Sequence, residues 1–184
     1  MARLPPEGLR ALSDWLWSEE GAQVFAVVDG ASIPGLLEKL YAERAPQSLC
    51  LYRGELEPDM ATVAPYLVCL QPDAEFTEWL LAAGWGNHWG VFFRSSASML
   101  ELRKHLRNIN MVYGPDLEPL LFRYYDPRVM RAFMSVCEPA QVTDLFGPIA
   151  SWIAESEDGS AALAYAPTGA SVSTSERALV RTRA

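Results

Sequence analysis

Between Leu121 and Met130 the chain reads LFRYYDPRVM, placing Asp126 three positions after Arg123 and two before Arg128, with Tyr124 and Tyr125 between. One carboxylate among guanidinium groups can do chemistry. Asp126 could act as the acid of a small hydrolase while Arg123 and Arg128 hold developing charge, for example on a phosphate ester. The same grouping suits two other uses. Arginine and tyrosine carry much of the binding energy at protein interfaces, and the set can equally be an internal ion-pair knot that fixes a turn.

The elements around the cluster frame that choice. Alternation over PLLFRYY sends Leu120, Phe122 and Tyr124 to one face of a strand and Leu121, Arg123 and Tyr125 to the other. Asp126-Pro127 is a helix start, with a carboxylate to cap free N–H groups and proline at the first helical position. Val129, Met130, Phe133, Met134 and Cys137 then form an apolar stripe. Arg128 falls in the first turn, where a cation opposes the helix dipole by about 0.3–1 kcal/mol when exposed. Something nearby should compensate it, either Asp126, another carboxylate or an acidic group on a partner, and Arg123 should reach the same neighbourhood.

Little else in the chain points to catalysis. There is no Walker loop and no GxGxxG. The stretch GWGNHWG at 84–90 is glycine-rich but has no lysine to hold phosphate, and reads as a turn from helix to strand. Its Trp85 and Trp89 flank glycines and are candidate partner anchors as well as candidate core residues. His88 and His105 have no ligand-spaced neighbours, and Cys50, Cys69 and Cys137 form no CxxC. No metal, cofactor or catalytic residue is therefore expected.

Composition narrows the class. The chain has 184 residues, half of them hydrophobic, and a net charge of -8 with a pI near 4.8. This is enough chain for one domain with its own core, and the acidity argues against nucleic acid, whose binding rests on lysine and arginine. An odd number of scattered cysteines reads as reduced thiols in the cytoplasm. The N-terminal MARLPPEGLRALSDW lacks the apolar core of a secretory signal, and no run is long enough for a membrane span.

Periodicity gives strands alternating with helices: helix 7–20, strand 23–30, helix 34–45, strands 48–52 and 65–70, and a helix closing at Gly84. A strand at 87–95, a helix with the Ser98/Glu101 capping box, a hairpin over 111–125 and the helix after Asp126 follow. The last element lies near Trp152. The expected fold is α/β, a mixed and largely buried sheet flanked by helices, over 1–154. Residues 155–184 are small, polar and aperiodic, and read as a flexible tail.

With these pieces in order, FRYYDPRVM resembles the signature of a bacterial family of effector chaperones, or adaptors, of the type VI secretion system. The resemblance runs through most of 22–153: Val27–Ala31, Ser48–Tyr52, Pro65–Val68, Gly90–Ser95, Leu102–Arg107, the FRYYDPRV motif, and Leu145–Trp152. It implies an adaptor rather than an enzyme, with no known cofactor. Such proteins bind a toxic effector in the cytoplasm and help load it onto the valine–glycine repeat spike protein. Many have a more helical second lobe where this chain has its low-complexity stretch. The resemblance makes Arg123, Tyr125, Asp126 and Arg128 motif residues. An immunity-type inhibitor that neutralises a toxin is the other binding role to weigh.

Overall fold

The computed structural model describes residues 4–113 and 116–179. Its centre is β1 (Gln23–Asp29), where VFAVVD gives six consecutive buried residues. Such a run suits a strand covered on both faces. The side chains alternate accordingly: Val24, Ala26 and Val28 enter one core, and Phe25 and Val27 the other.

Around β1 lie β2 (Ser48–Cys50), β3 (Pro65–Cys69), β4 (Gly90–Ser95), β7 (Ser151–Glu155), β8 (Ala161–Thr168) and β9 (Ser171–Ala178). They form a seven-stranded sheet in the order β2-β3-β1-β4-β7-β8-β9. The α/β class is as expected, but all ladders of this sheet are antiparallel rather than mixed. The reason lies in the position of β1. β3 and β4 point the same way and are joined by a helical crossover, as strand–helix alternation implies. β1 sits between them and runs opposite to both.

One face of the sheet is covered by α1 (Pro6–Leu16), α2 (Leu36–Leu40) and α4 (Glu75–Trp79), which continues as one wider turn to Gly84. The other face is covered by α5 (Met99–Ile109), α6 (Pro127–Met134) and α7 (Pro139–Phe146). A short, exposed α3 (Pro58–Val63) lies beside Gly30–Ser32. The capping box of α5 forms as its sequence predicts: Ser98 N–H donates to Glu101 Oε2 at 2.9 Å, and the Ser98 hydroxyl accepts from Glu101 N–H at 3.4 Å.

Arg94 fixes α1 to the sheet. It is 3% exposed on β4 and donates from Nε to Leu16 O at 3.0 Å and from Nη2 to Trp15 O at 2.5 Å, while Nη1 pairs with Glu19 at 2.7 Å. A cation thus sits against the last carbonyls of α1, where the helix dipole is negative.

Two expectations are corrected. The stretch read as a flexible tail forms β8 and β9 over 161–178, with Trp152 opposite Tyr165 and Ala161 opposite Ala178. Ala161, Ala162, Ala164 and Tyr165 of β8 are buried, so small residues here fill close-packed space rather than mark disorder. Residues 180–184 of that stretch lie outside the described residues. The strand expected over 119–125 stops at Leu121: β5 (Met111–Tyr113) and β6 (Pro119–Leu121) form a separate two-stranded hairpin. Beyond it the backbone turns, with Asp126 N–H donating to Arg123 O at 2.9 Å.

Candidate partner-binding surface

The corner between β6 and α6 is internally paired. Asp126 caps α6: its Oδ1 accepts from the Arg128 N–H at 2.9 Å. The Arg128 side chain closes on the same carboxylate, Nε to Oδ1 at 3.0 Å and Nη2 to Oδ2 at 2.7 Å. This two-point pair is the compensation that a first-turn cation requires. Burial pushes the Asp126 carboxyl up, but the hydrogen bonds and charge of Arg128, with the charge of Arg123, hold it below its ordinary value.

Arg123 turns instead to Asp29, at the end of β1, with Nη2 2.5 Å from Oδ2. Asp29 is 2% exposed and also accepts from Ala31 N–H at 3.2 Å and the Ser32 hydroxyl at 2.8 Å. The Arg123 guanidinium lies over the Tyr125 ring, 5.8 Å from its centroid.

The two tyrosines do not alternate between faces as a strand would require. Both are buried against the α5–α6–α7 side of the sheet, where Tyr124 donates to Leu106 O at 3.3 Å and meets Trp152 edge-on. Burial pushes the phenols of both upward. Of the four motif residues, only the side chains of Arg123 (43% exposed) and Arg128 (59%) reach the surface.

The tryptophans of the glycine-rich turn are mainly core residues. Trp85 is 3% exposed and donates from its indole to Gly159 O at 2.9 Å, so it is not a surface anchor. Trp89 is half-buried, packed against Trp79 with ring centroids 5.1 Å apart. Between them, the buried Glu155 of β7 accepts from Gly86 N–H at 2.5 Å and from His88 N–H at 3.1 Å, and its Oε1 meets His88 Nδ1 in a short contact. His88 takes a positive φ of 58° to do so. The Glu155 carbonyl accepts from Arg131 at 2.8 Å, tying α6 to the same strand. Among the described residues, no cluster of three or more His, Cys, Asp or Glu is placed to hold a metal ion.

The surface that stands out lies next to the corner. In the β5–β6 hairpin, Tyr113 and Leu117 are more than 70% exposed, and Met111, Val112, Leu120 and Leu121 are 41–51% exposed. The register puts Met111 opposite Leu121 and Val112 opposite Leu120, so both faces of this ribbon are apolar. A lone two-stranded ribbon in water is marginal, and contiguous exposed apolar surface marks an interaction site. At its base an open groove of about 350 Å³ has an apolar floor of Ile109, Phe122, Phe133 and Leu145. His105 and Asn108 stand on the α5 wall, Gln141 and Asp144 on the α7 wall. Phe122, the first residue of the FRYYDPRV run, links groove and corner, packing on Phe133 at 4.9 Å and Tyr124 at 6.0 Å between centroids.

Residues 24–144 match the model of a family described as a domain of unknown function (DUF4123), and by that match over more than half its length the chain belongs to that family. The matched segment ends inside α7 and leaves β7, β8 and β9 outside it. No curated protein and no solved structure matches the chain. Among the described residues, no helix is long and apolar enough to cross a membrane.

Proposed function

We propose that this member of the DUF4123 family is a cytoplasmic, non-enzymatic adaptor that binds a toxic effector and helps load it onto the spike protein of a type VI secretion system. The observation that carries a binding role is the β5–β6 hairpin, which holds six large apolar side chains in contact with solvent above an apolar groove. Isolated in water, that surface costs stability and solubility; covered by a partner, it supplies the desolvated apolar anchors that dominate protein association. The class of partner rests on the resemblance of the ordered motif series to effector adaptors, supported by the family match over 24–144.

In this reading the FRYYDPRV corner is a brace. Asp126 has both carboxylate oxygens engaged by Arg128, and Asp29 is engaged by Arg123, so the arginines hold the base of the hairpin against β1 and α6. A hydrolase built on Asp126 would instead need a carboxyl free to meet substrate.

The experiment is co-purification of tagged chain with the spike protein and the toxin encoded beside it. Retention of either supports the reading, and loss of both from the tagged chain refutes it. Rescue of toxin-killed cells by the chain alone would favour an immunity role.

A further inference from the structure

The two edges of the seven-stranded sheet are finished differently. β2 forms one edge; it is three residues long, and its ladder with β3 turns the carbonyls of Cys50 and Tyr52 outward. Both carbonyls are covered. Arg103 Nε and Arg107 Nη2 donate to Cys50 O at 3.2 and 3.1 Å, and Arg107 Nη2 also meets Tyr52 O. Two side chains of α5 thus occupy the place of a further strand, which keeps an edge from pairing.

β9 forms the other edge and has no such cover. It runs for eight residues, SVSTSERA, holds neither proline nor lysine, and every residue except Val172 is exposed. Leu179 N–H donates to Ser160 O at 2.9 Å, which sets the phase of the β8–β9 ladder. The backbone groups of Ser171, Ser173, Ser175 and Arg177 therefore face β8, and those of Val172, Thr174, Glu176 and Ala178 face outward. Among the described residues, none of these outward N–H and C=O groups meets a hydrogen-bond partner.

The outward residues are complementary to themselves. Two copies of β9 paired antiparallel about a twofold axis must be centred on a residue, because opposite side chains share one face of the joined sheet. Centring on Ser175 sets Val172 of one copy opposite Ala178 of the other, and Thr174 opposite Glu176. These are hydrogen-bonded pairs, so every outward residue of both copies is satisfied. Arg177 falls opposite Ser173, and only small side chains crowd the axis. Other centres do worse. Glu176 or Arg177 at the axis would face its own copy, a like-charge pair, and a centre at Thr174 or before leaves Ala178 with no counterpart in β9.

We propose that β9 pairs antiparallel with β9 of a second copy of this chain, in the register centred on Ser175, so that the two sheets join into one. Main-chain hydrogen bonds carry the contact, as in strand addition generally. A single strand pair of serine and threonine buries less than the about 1,200 Å² of a standard interface, so the dimer is weak, with a dissociation constant on the order of 10 µM. The inference stands apart from the adaptor reading, which uses the β5–β6 hairpin.

Analytical ultracentrifugation of the full chain tests it. The mass is expected to rise from 20.4 kDa at about 1 µM toward twice that value at about 200 µM. Thr174→Pro removes an outward N–H that β8 does not use, and Ser175→Lys sets two cations face to face at the axis. Both variants should stay monomeric at the higher concentration, and Ser175→Lys, at an exposed position, should keep the melting temperature of dilute wild type. Oxidation with diamide reads the register. Ser175→Cys brings two thiols opposite each other at a non-hydrogen-bonded pair and should cross-link at least about tenfold faster than Ser173→Cys, whose copies lie apart along the strands. A chain monomeric at every concentration, a dimer that both variants leave intact, or equal cross-linking at the two positions overturns the proposal. If the chain stays monomeric and Thr174→Pro loses a spike or toxin that wild type retains, the edge takes a partner's strand; the second copy is then ruled out while the adaptor reading stands.

Discussion

Arg123 donates to the buried carboxylate of Asp29 at 2.5 Å, joining residues ninety-four positions apart in sequence. The pair pins the strand-to-helix corner to the end of the central strand, and through it the base of the apolar hairpin. The Asp29 carboxylate keeps two local donors, Ala31 N–H and the Ser32 hydroxyl. Replacing Arg123 with methionine is expected to cost about 1–3 kcal/mol, the range for leaving a buried charged acceptor short of a partner. Urea unfolding measures it. An Asp29→Asn, Arg123→Met double variant should recover part of the loss, and an unchanged midpoint in the single variant would show that the pair braces nothing.

Asp126 gives the corner a pH dependence. Its carboxyl is held below its ordinary value, so it stabilises the fold above the unfolded-state value near 4 and loses that contribution as pH falls through the depressed one. Asp126→Asn keeps a good helix cap but removes the charge. The variant should be less stable than wild type at neutral pH, and the gap should narrow as pH falls below about 4. Denaturant midpoints across that window read it out; a gap independent of pH would remove Arg128 pairing as the source.

Glu155 is the organiser of the turn that carries Trp85 and His88. Glu155→Ala leaves the backbone N–H groups of Gly86 and His88 without their acceptor, at a cost of about 2–3 kcal/mol. Amide exchange at those two residues should accelerate well before global unfolding. Exchange that stays slow would mean the turn holds by packing alone.

The hairpin makes the opposite kind of prediction. Tyr113→Ser and Leu120→Ser replace exposed side chains and should leave stability within about 0.5 kcal/mol. They should lower the fluorescence of an apolar dye bound to the folded chain and raise its solubility limit. A large fall in melting temperature would instead place these residues in a core.

A chain ending after Glu155 tests the status of the last strands. β7 pairs with β8 along Trp152–Glu155, and Ala162 and Ala164 complete one core and Tyr165 the other. The truncated chain is expected to be insoluble or to lose cooperative melting. Had 155–184 been a loose tail, it would melt like the full chain.

How far the sequence could be read depended on how local the signal was. The capping box at Ser98, the Asp126–Pro127 helix start and the continuous apolar run of β1 are encoded by near neighbours, and each appears where the residues imply. Compensation of Arg128 by Asp126 was legible for the same reason. Arg123 with Asp29 was not, because their meeting depends on where β1 lies in the sheet. β8 and β9 were hidden by composition: Ala, Ser and Thr carry little strand signal, and β8 is buried through its pairing with β7 beside Trp152. α7 was missed because PAQVTDLF is short, and its buried Val142, Leu145 and Phe146 span little more than one helical turn. PLLFRYY was expected to alternate between two faces, and apolar side chains are exposed on both faces of the hairpin. Its six exposed side chains read in sequence as ordinary strand residues, and the Trp85 once plausible as an anchor is buried.

Sheet order also bears on how the chain is made. Strands β7, β8 and β9 are consecutive in sequence and adjacent in space, so they can assemble through short loops. β4 is different: one of its edges is taken by β1, synthesised long before, while the other waits for β7. On a ribosome, roughly fifty residues separate the end of β4 from β7, and synthesis at about 5–20 residues per second leaves that edge and the floor beneath Trp152 open for seconds. Nascent chains arrested before Trp152 emerges should be cut readily by protease within β4, and protection should arrive abruptly once β8 has cleared the exit tunnel. Translation speed across this stretch then becomes a determinant of yield, independent of the stability of the finished protein.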